Sequence, residues 1–216
     1  MAIVITVAQQ KGGAGKTTLA AHLAAALAAD RRVALLDIDP QRSLSRWHDM
    51  RGHGMRALRD TAPPEIHLSQ VSGWRLAAEL EKLKRGHDVV LIDSPPQIDT
   101  DARLAIRSAD LVLVPVQPSP PDLWAAEGTL KLALAEKRPA GLVLNRTPKV
   151  SKLRSLMETE IARQGFRLFS ATLGNRAGFA NAFAAGLGVT EASPRSLAAA
   201  ELQALLAEIL EGVATK

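Results

Sequence analysis

Short apolar segments alternate with stretches of helical periodicity from one end of the chain to the other. The apolar segments are rich in valine, isoleucine and leucine, and most lack strict alternation of apolar and polar positions. Strands that are covered by helices on both faces have this character. The pattern therefore predicts βαβ units and an α/β fold with a doubly wound, mainly parallel sheet. The predicted strands are Ile3–Ala8, Arg32–Asp37, Asp88–Asp93, Asp110–Pro115 and Ala140–Asn145.

Leucines spaced three or four residues apart predict helices between the strands. One series runs from Leu19 to Leu27, and another begins at Leu76 and is followed by Gly86, a residue suited to ending a helix. Because no repeat or linker interrupts the chain, we expect residues 1–216 to form a single domain. The last predicted helix has an apolar face formed by Leu202, Leu205, Leu206, Ile209 and Leu210.

Composition limits the classes of protein to which the chain can belong. Of its 216 residues, 47% are hydrophobic and 23% are charged, as in soluble globular proteins. No apolar run approaches the ~20 residues that a membrane helix needs, and no leader precedes the first strand, so we expect a cytoplasmic protein. The absence of cysteine excludes disulfides and cysteine-ligated metal or iron–sulfur sites. A net charge of +5 points weakly to a polyanionic partner. Residues 49–72 show no clear helical or strand periodicity, and we assign no function to them.

The segment QQKGGAGKTT, residues 9–18, lies directly after the first predicted strand and before the first predicted helix. A glycine-rich turn in this position binds nucleotide phosphates through its backbone amides. Glycines lack a Cβ, so the turn can close around phosphate. We expect Lys16 to contact the β- and γ-phosphates and the Thr17 hydroxyl to bind Mg²⁺. The predicted phosphate-binding residues are Gly12, Gly13, Ala14, Gly15, Lys16, Thr17 and Thr18.

Aspartates lie at or just after the ends of two further predicted strands. Asp37 and Asp39 close the segment LLDIDPQ, and Asp93 closes VVLIDSPP. In open parallel sheets, ligands bind at the carboxyl ends of the strands. A carboxylate there can hold Mg²⁺ or its waters against phosphate. Each aspartate alone could equally cap a turn, but three beside a phosphate loop favour a metal and nucleotide site, in which Asp37 has no assigned role.

The loop departs in two ways from the standard pattern G-x-x-x-x-G-K-[ST]. Gln10 replaces the first glycine, and an additional lysine, Lys11, follows it. With this lysine, the loop resembles the KGGxGKT signature of the deviant Walker A ATPases of the ParA/MinD family. The resemblance extends to the segments VALLDIDPQ, DVVLIDSPPQ, VPVQPSPPDLWAAEG and GLVLNR. It implies that the protein binds ATP and Mg²⁺ and forms a homodimer that encloses two ATP molecules.

The resemblance also implies roles for individual residues, with Lys11, Lys16 and Asp39 as the catalytic set. Lys11 is expected to reach across the dimer to the other subunit's nucleotide. Asp39 would orient the attacking water and approach Mg²⁺ through water, and Asp93 would bind the metal through water. Asn145 would either recognise adenine through its amide or simply end its strand. Hydrolysis is expected to be slow, because the loop offers no arginine finger, a group that adds roughly 10³–10⁵ in rate.

Several ParA relatives bind DNA without sequence preference through basic residues in the C-terminal half. No helix-turn-helix precedes the phosphate loop, so DNA binding is expected to be electrostatic and salt-sensitive; a solvated basic face is the plainer alternative. The resemblance implies a nucleoid-associated ATPase that positions a plasmid, chromosome region or protein cluster, and a ParB-like or adaptor protein that stimulates hydrolysis. The DNA-binding candidates are Arg176, Arg195, Lys149, Lys152 and Arg154.

Two other functions stay open at this point. A MinD-like switch would dock on the membrane through a basic amphipathic C-terminal helix. The terminal helix here instead carries Glu201, Glu208 and Glu211, and no cation lies between Arg195 and Lys216. A metabolic ATP-dependent enzyme would need a dedicated substrate site, and the five histidines have no spacing typical of catalysis or metal binding. Both alternatives are therefore less favoured than the DNA-associated ATPase.

Overall fold

Six parallel strands form one sheet in the computed structural model, which describes residues 2–54, 62–148 and 152–214. The strands are β1 (Ile3–Val7), β2 (Val33–Asp37), β3 (His67–Gln70), β4 (Val89–Asp93), β5 (Leu111–Val116) and β6 (Ala140–Leu144). Their order across the sheet is β3-β2-β4-β1-β5-β6, and every pairing is parallel. This arrangement confirms the predicted α/β fold with a mainly parallel sheet.

The predicted strands agree with β1, β2, β4, β5 and β6 to within one residue at each end. Strand β3 was missed, because it lies in the segment 49–72 that gave no pattern. It is four residues long and lies at the edge of the sheet, where its side chains are half-buried or exposed. An edge strand of this kind needs no apolar run, so its sequence gives little periodic signal.

Helices follow the strands and cover both faces of the sheet. Among the described residues, the longest are the terminal helix, with 18 residues, and the helix after β5, with 16. A single 3₁₀ turn, Gly73–Arg75, precedes α3. Within the described ranges, no helix is both long and apolar enough to cross a membrane. The helices are α1 (Lys16–Leu27), α2 (Ser43–Gly54), α3 (Leu76–Gly86), α4 (Thr100–Ser108), α5 (Pro120–Ala135), α6 (Lys152–Arg163), α7 (Ala177–Ala184), α8 (Val189–Ala192) and α9 (Leu197–Ala214).

Neighbouring residues of the central strands are buried on opposite faces of the sheet. Ile5 packs with the apolar residues of α1 and α9, such as Leu23 and Leu202. Val4, the preceding residue, packs on the other face with α3, where Leu80 lies. Because successive side chains of a strand point to opposite faces, burial of both faces explains why the strands have continuous rather than alternating apolar character.

The strand order places the three segments of interest next to one another. Strand β4 lies between β1 and β2, with Val7 and Asp37 each in register with Asp93. The loop that leaves β1 therefore lies beside the aspartates that end β2 and β4. These segments lie side by side at the carboxyl edge of the sheet, where ligands bind in open parallel sheets, and we refer to this edge as the cleft.

Candidate functional site

The glycine-rich turn connects β1 to α1 in the conformation that a phosphate-binding loop requires. Gly13 and Gly15 have φ angles of 78° and 93°, a left-handed region that glycine enters without strain. A Cβ at Gly15 would also overlap the side-chain amide of Asn145. Gly15 is the N-cap of α1, so the N–H groups of the first helical turn have no intrahelical partner. The turn thus offers amides and a helix N-terminus to an anion.

Lys16 is the first residue of α1, and only 7% of it is exposed. Burial lowers the pKa of its ammonium group, while the charges of Asp93 and Asp39 oppose that change. Thr17 and Thr18 follow in the first helical turn and are half-buried. A phosphate in the loop would bring negative charge to this buried ammonium, which stabilises its charged form.

Asp93 is fully buried, and neither of its carboxylate oxygens has a hydrogen-bond partner among the described residues. Burial raises the pKa of its carboxyl to about 7, against the opposing influence of the Thr17 hydroxyl and of Lys16. A buried carboxylate without partners is unfavourable unless a ligand compensates it. Carboxylate and hydroxyl oxygens are the ligands that Mg²⁺ prefers, so Asp93 and Thr17 fit a magnesium ion held directly or through its waters.

The two aspartates that follow β2 differ in their surroundings. Asp37 is buried and satisfied inside the chain, because its Oδ2 accepts hydrogen bonds from the Ser45 backbone N–H (2.9 Å) and hydroxyl (2.6 Å). Its Oδ1 accepts the Asp39 N–H at 3.2 Å. Asp39 is half-buried and accepts one bond, from the Gln41 N–H at 2.9 Å. Asp37 therefore fixes the loop and α2, which is the role that sequence reasoning left open, while Asp39 lies in the cleft.

Lys11 contacts a residue that sequence reasoning did not identify. Its Nζ lies 2.5 Å from Oδ2 of Asp122 on α5, whose side chain is only 3% exposed. The same carboxylate accepts hydrogen bonds from the Ser119 hydroxyl (2.5 Å) and the Gln117 N–H (3.4 Å). The sequence gives no local signal for this contact, because the two residues are 111 positions apart. In this single chain, Lys11 is therefore held on its own subunit.

The two glutamines before Lys11 fix the entrance of the loop. Gln9 is buried; its Nε2 donates to the Pro115 carbonyl at 3.3 Å, and its Oε1 accepts the Gln10 N–H at 2.8 Å. The side-chain amide of Gln10 lies against Gly128 of α5, where any Cβ would overlap it. The glutamine that departs from the standard loop pattern thus packs on the helix that also carries Asp122.

A cavity of about 320 Å³ adjoins the loop on the side of β6. Gly15 and Thr18 line it from the loop and first helix, and Asn145 and Arg146 line it from the end of β6. Asn145 Nδ2 donates to the Ala14 carbonyl at 2.9 Å, and Arg146 has a positive φ of 51°. The volume of the cavity lies in the range of small-ligand pockets. Its position beside the phosphate turn suits a nucleotide base.

His22 forms part of the wall of this cavity and is not a charged group. Its Nδ1 accepts the Val189 N–H at 3.0 Å, so its Nε2 carries the proton and donates to the Phe179 carbonyl at 3.1 Å. Burial lowers the pKa of the imidazole to about 4. The neutral ring joins α1 to α7 and α8.

The basic residues predicted to bind DNA lie in different environments. Arg195, in the loop before α9, and Lys152, at the start of α6, are exposed and form no ion pair with a described residue. Arg154 pairs with Glu158 on α6 at 2.7 Å. Arg176 forms a two-bond ion pair with Glu201 of α9, at 2.9 and 2.6 Å. Lys149 lies outside the described residues. The candidates therefore do not form one uniform set.

Comparisons with known proteins agree with this geometry. The profile of the CobQ/CobB/MinD/ParA nucleotide binding domain matches residues 5–189. The chain is 33% identical to the maintenance of carboxysome distribution protein A of Halothiobacillus neapolitanus, over 97% of each chain. An ATP complex of Cyanothece McdA has a similar fold, with a TM-score of 0.77, 19% identity and coverage of 100% of this chain and 97% of that one.

A second solved structure with this fold is the septum site-determining protein MinD of Pyrococcus horikoshii, complexed with Mg-ADP. It has a TM-score of 0.73 and 21% identity, and the alignment covers 97% of this chain and 96% of that one. At these identities the solved structures support the fold, whereas the family profile and the full-length relative identify the family. The chain belongs to the ParA/MinD family of nucleotide-binding domains.

Proposed function

We propose that this protein is a Mg²⁺-dependent ATPase that forms an ATP-bound dimer, associates with DNA without sequence preference and positions an intracellular cargo. The observation that carries the proposal is the phosphate end of the cleft. There a buried Asp93, whose oxygens accept no well-formed hydrogen bond from a described residue, and a desolvated Lys16 lie beside a glycine turn that also carries the second lysine, Lys11. Burial makes both charges unfavourable, and a metal-bound triphosphate would compensate them.

Within this proposal, each residue of the cleft has a distinct task. The backbone amides from Gly12 to Thr18 and the Lys16 ammonium hold the phosphates, and Thr17 and Asp93 hold the metal. When bound, Mg²⁺ neutralises charge on the β- and γ-phosphates. Asp39 accepts a hydrogen bond from the attacking water and orients it. The described loop contributes no arginine, so turnover is slow until another protein stimulates it, and the ATP-bound state persists long enough to act as a switch.

Lys11 has to leave Asp122 before it can reach a nucleotide on a second subunit. Its side chain is 39% exposed, although its ammonium is held at 2.5 Å from a nearly buried carboxylate. An ATP phosphate on the facing subunit would offer the ammonium a stronger anionic partner. Dimer formation would thus exchange an intrachain ion pair for an interchain one, so that the dimer depends on bound nucleotide.

The proposed DNA surface is centred on exposed basic residues. Arg195 and Lys152 are exposed and form no ion pair with a described residue, and the half-buried Arg154, which pairs with Glu158, lies near Lys152 on α6. We retain Lys149 in the proposal on sequence grounds alone. Arg176 is withdrawn from it, because its guanidinium is committed to Glu201. Two subunits would double the number of contacts, which steepens the dependence on salt.

The cargo and its adaptor are the most specific part of the proposal. The full-length relative is named for carboxysome distribution, so a protein body is a cargo of the right kind for a chain this similar. Family resemblance also supports a plasmid or chromosome region. In each case we propose a ParB-like or adaptor protein that stimulates hydrolysis, a cytoplasmic, nucleoid-associated location, and no attachment to the membrane.

The experiment that tests the proposal uses the Asp39→Ala protein and random-sequence duplex DNA. Binding is measured with ATP and with ADP over a salt series. We expect the variant to bind ATP without turning it over, and to bind DNA tightly with ATP only, with an affinity that falls steeply as salt rises. Adding Arg195→Ala to this variant should flatten the salt slope and leave the ATP dimer intact.

Two outcomes would contradict the proposal. Normal hydrolysis by Asp39→Ala would remove this residue from the catalytic set. An ATP dimer that binds no DNA would exclude DNA as the track, and binding of that dimer to anionic vesicles, or turnover only with a second substrate, would favour the membrane or the metabolic alternative. Arg163→Ala serves as the matched control for charge, since Arg163 is an exposed arginine paired with Glu160 on α6.

A further inference from the structure

The chain after α6 runs alongside β6 and forms one wall of the cavity beside the loop. Backbone bonds join this segment to β6: the Phe169 N–H donates to the Leu142 carbonyl at 3.0 Å, and the Leu173 N–H donates to the Leu144 carbonyl at 2.9 Å. Beyond the strand, the Asn175 N–H donates to the Thr147 carbonyl at 3.0 Å. Residues 173–177 then line the cavity opposite the phosphate turn. We name residues 173–177 the base wall.

Two carboxylates of α9 hold the segment that leads into and forms the base wall. Glu208 accepts the backbone N–H groups of Ser170 (3.0 Å) and Ala171 (3.1 Å). Glu201, seven residues earlier and so on the same side of the helix, accepts the Gly174 N–H at 3.0 Å. The opposite side of α9 is buried in the core. Glu201 and Glu208 of the terminal helix therefore fix a loop of the same chain.

Arg176 completes this attachment. Its guanidinium donates to both oxygens of Glu201, and it lies over Gly174, where a Cβ would come within 3.0 Å of its Nε. A planar, two-bond pair of this kind constrains orientation as well as distance. Although burial acts in the opposite direction, Arg176 and the Gly174 N–H hold the pKa of Glu201 below its usual range, so the pair is ionised at neutral pH.

We infer that Arg176 and Glu201 are positioning residues for base recognition: they fix the backbone of the base wall, and thereby set the preference for one purine over another. The inference rests on the proposed nucleotide site. It assigns Arg176 to the nucleotide rather than to DNA, and it makes α9 a support of the cleft. Arg176 belongs to the base wall, Glu201 binds it there, and neither residue forms a hydrogen bond with the phosphate turn, so the pair acts on the base and leaves the phosphates unaffected.

The test compares three ligands, each with Mg²⁺: ATP, GTP and inorganic tripolyphosphate. In Glu201→Gln and Arg176→Lys, we expect ATP affinity to fall by roughly 10-fold, the scale seen when the support of a binding group is removed, and the ATP-over-GTP ratio to shrink with it. Tripolyphosphate affinity should stay within about twofold, because sites without shared contacts act independently. Glu201→Gln keeps an acceptor for Gly174, so it disturbs folding least, and a thermal melt checks each variant.

Arg176→Lys separates positioning from DNA contact, since lysine keeps the charge but cannot form the two-bond pair. Loss of base preference with unchanged DNA affinity supports the inference. Unchanged ATP affinity and ATP-over-GTP ratio in both folded variants overturn it, as does reduced DNA binding alone. The control Arg163→Ala removes a two-bond pair of similar geometry far from the cavity and should change neither ratio. Failure of the wild type to bind ATP and tripolyphosphate would instead refute the proposed function.

Discussion

The proposed nucleotide cleft has a phosphate end, at the glycine turn, and a base end, at the cavity beside β6, and these differ in how their charged side chains are compensated. At the phosphate end, Asp93 is buried without a partner and the pKa of Lys16 is lowered by burial. At the base end, Arg176 and Glu201 satisfy each other, and Asn145 bonds to the loop carbonyl of Ala14. Buried charges without partners are unfavourable, so a ligand that compensates the charges of the phosphate end would bind favourably. At the base end, the charged groups are already paired within the chain, so this end contributes the shape of the cavity rather than uncompensated charge.

This difference indicates which substitutions act on binding and which act through structure. Removing an unsatisfied group at the phosphate end should reduce ligand binding and relieve the empty protein. Removing a satisfied group at the base end should weaken the fold locally and alter selectivity. The following predictions test that contrast, beginning with the largest expected effect.

Lys16→Ala should reduce ATP affinity by about two orders of magnitude or more, since each hydrogen bond to a charged group contributes roughly 1.5–3 kcal/mol and more than one is lost. Because Lys16 is desolvated in the empty cleft, the nucleotide-free variant should be no less stable than the wild type. Isothermal titration with ATP and a thermal melt measure the two quantities. A large loss of stability without ATP would place Lys16 among the satisfied, structural charges.

Asp93→Asn should make the nucleotide-free protein more stable at neutral pH. The pKa of Asp93 is raised to about 7 from the ordinary 3.8, so the folded state retains a proton that the unfolded state loses. Its contribution to stability is therefore present near pH 4 and is lost as the pH rises toward 7. In the variant this loss, up to about 4 kcal/mol, should disappear, while Mg²⁺-ATP binding weakens. Urea unfolding at several pH values, with chelator present, measures it.

The matched control is Asp37→Asn, because Asp37 is equally buried but accepts three hydrogen bonds. An asparagine there should destabilise the protein at pH 7. If both variants change stability in the same direction, the distinction between satisfied and unsatisfied aspartates fails.

Asp122→Asn should favour the ATP dimer by roughly 2–5-fold, because an ion pair with a partly exposed lysine contributes up to about 1 kcal/mol and Lys11 would be released from it. Lys11→Ala should prevent the dimer. Sedimentation with ATP, in the Asp39→Ala background, measures the association. A weaker dimer in Asp122→Asn would mean that this carboxylate orients Lys11 for the dimer instead of retaining it.

Arg42→Gly should have the smallest effect, a gain of about 0.5–1 kcal/mol in stability. Arg42 has a φ of 52°, and the left-handed region adds roughly 1–2 kcal/mol of strain to a residue with a Cβ, partly offset by the flexibility of glycine. Arg146, at the base end, has the same conformation. Arg146→Gly should give a similar gain in a urea titration, and losses in both variants would show that their side chains are structural.

The sequence predicted a contiguous phosphate loop but, at the base end, only Asn145. The residues from Gly12 to Thr18 are contiguous, so their chemistry and the flanking strand and helix could be recognised together. The ion pair of Lys11 joins it to Asp122, 111 positions away, and nothing local predicts it. Arg176 was predicted to contact DNA because a sequence gives its charge but not its partner, Glu201. The short strand β3 was missed because an edge strand requires no apolar pattern.

The packing of Gln10 on Gly128 has a consequence for the comparison of sequences. The amide of Gln10 occupies the space that a Cβ at position 128 would need, but Gln10 is exposed and this amide is the far end of a flexible side chain. Gly128→Ala should therefore be tolerated, because the amide can turn away into solvent, and the loop entrance would lose its contact with α5. A chain with a larger residue at position 128 can thus still carry this deviant loop, so a comparison of sequences should not require glycine there.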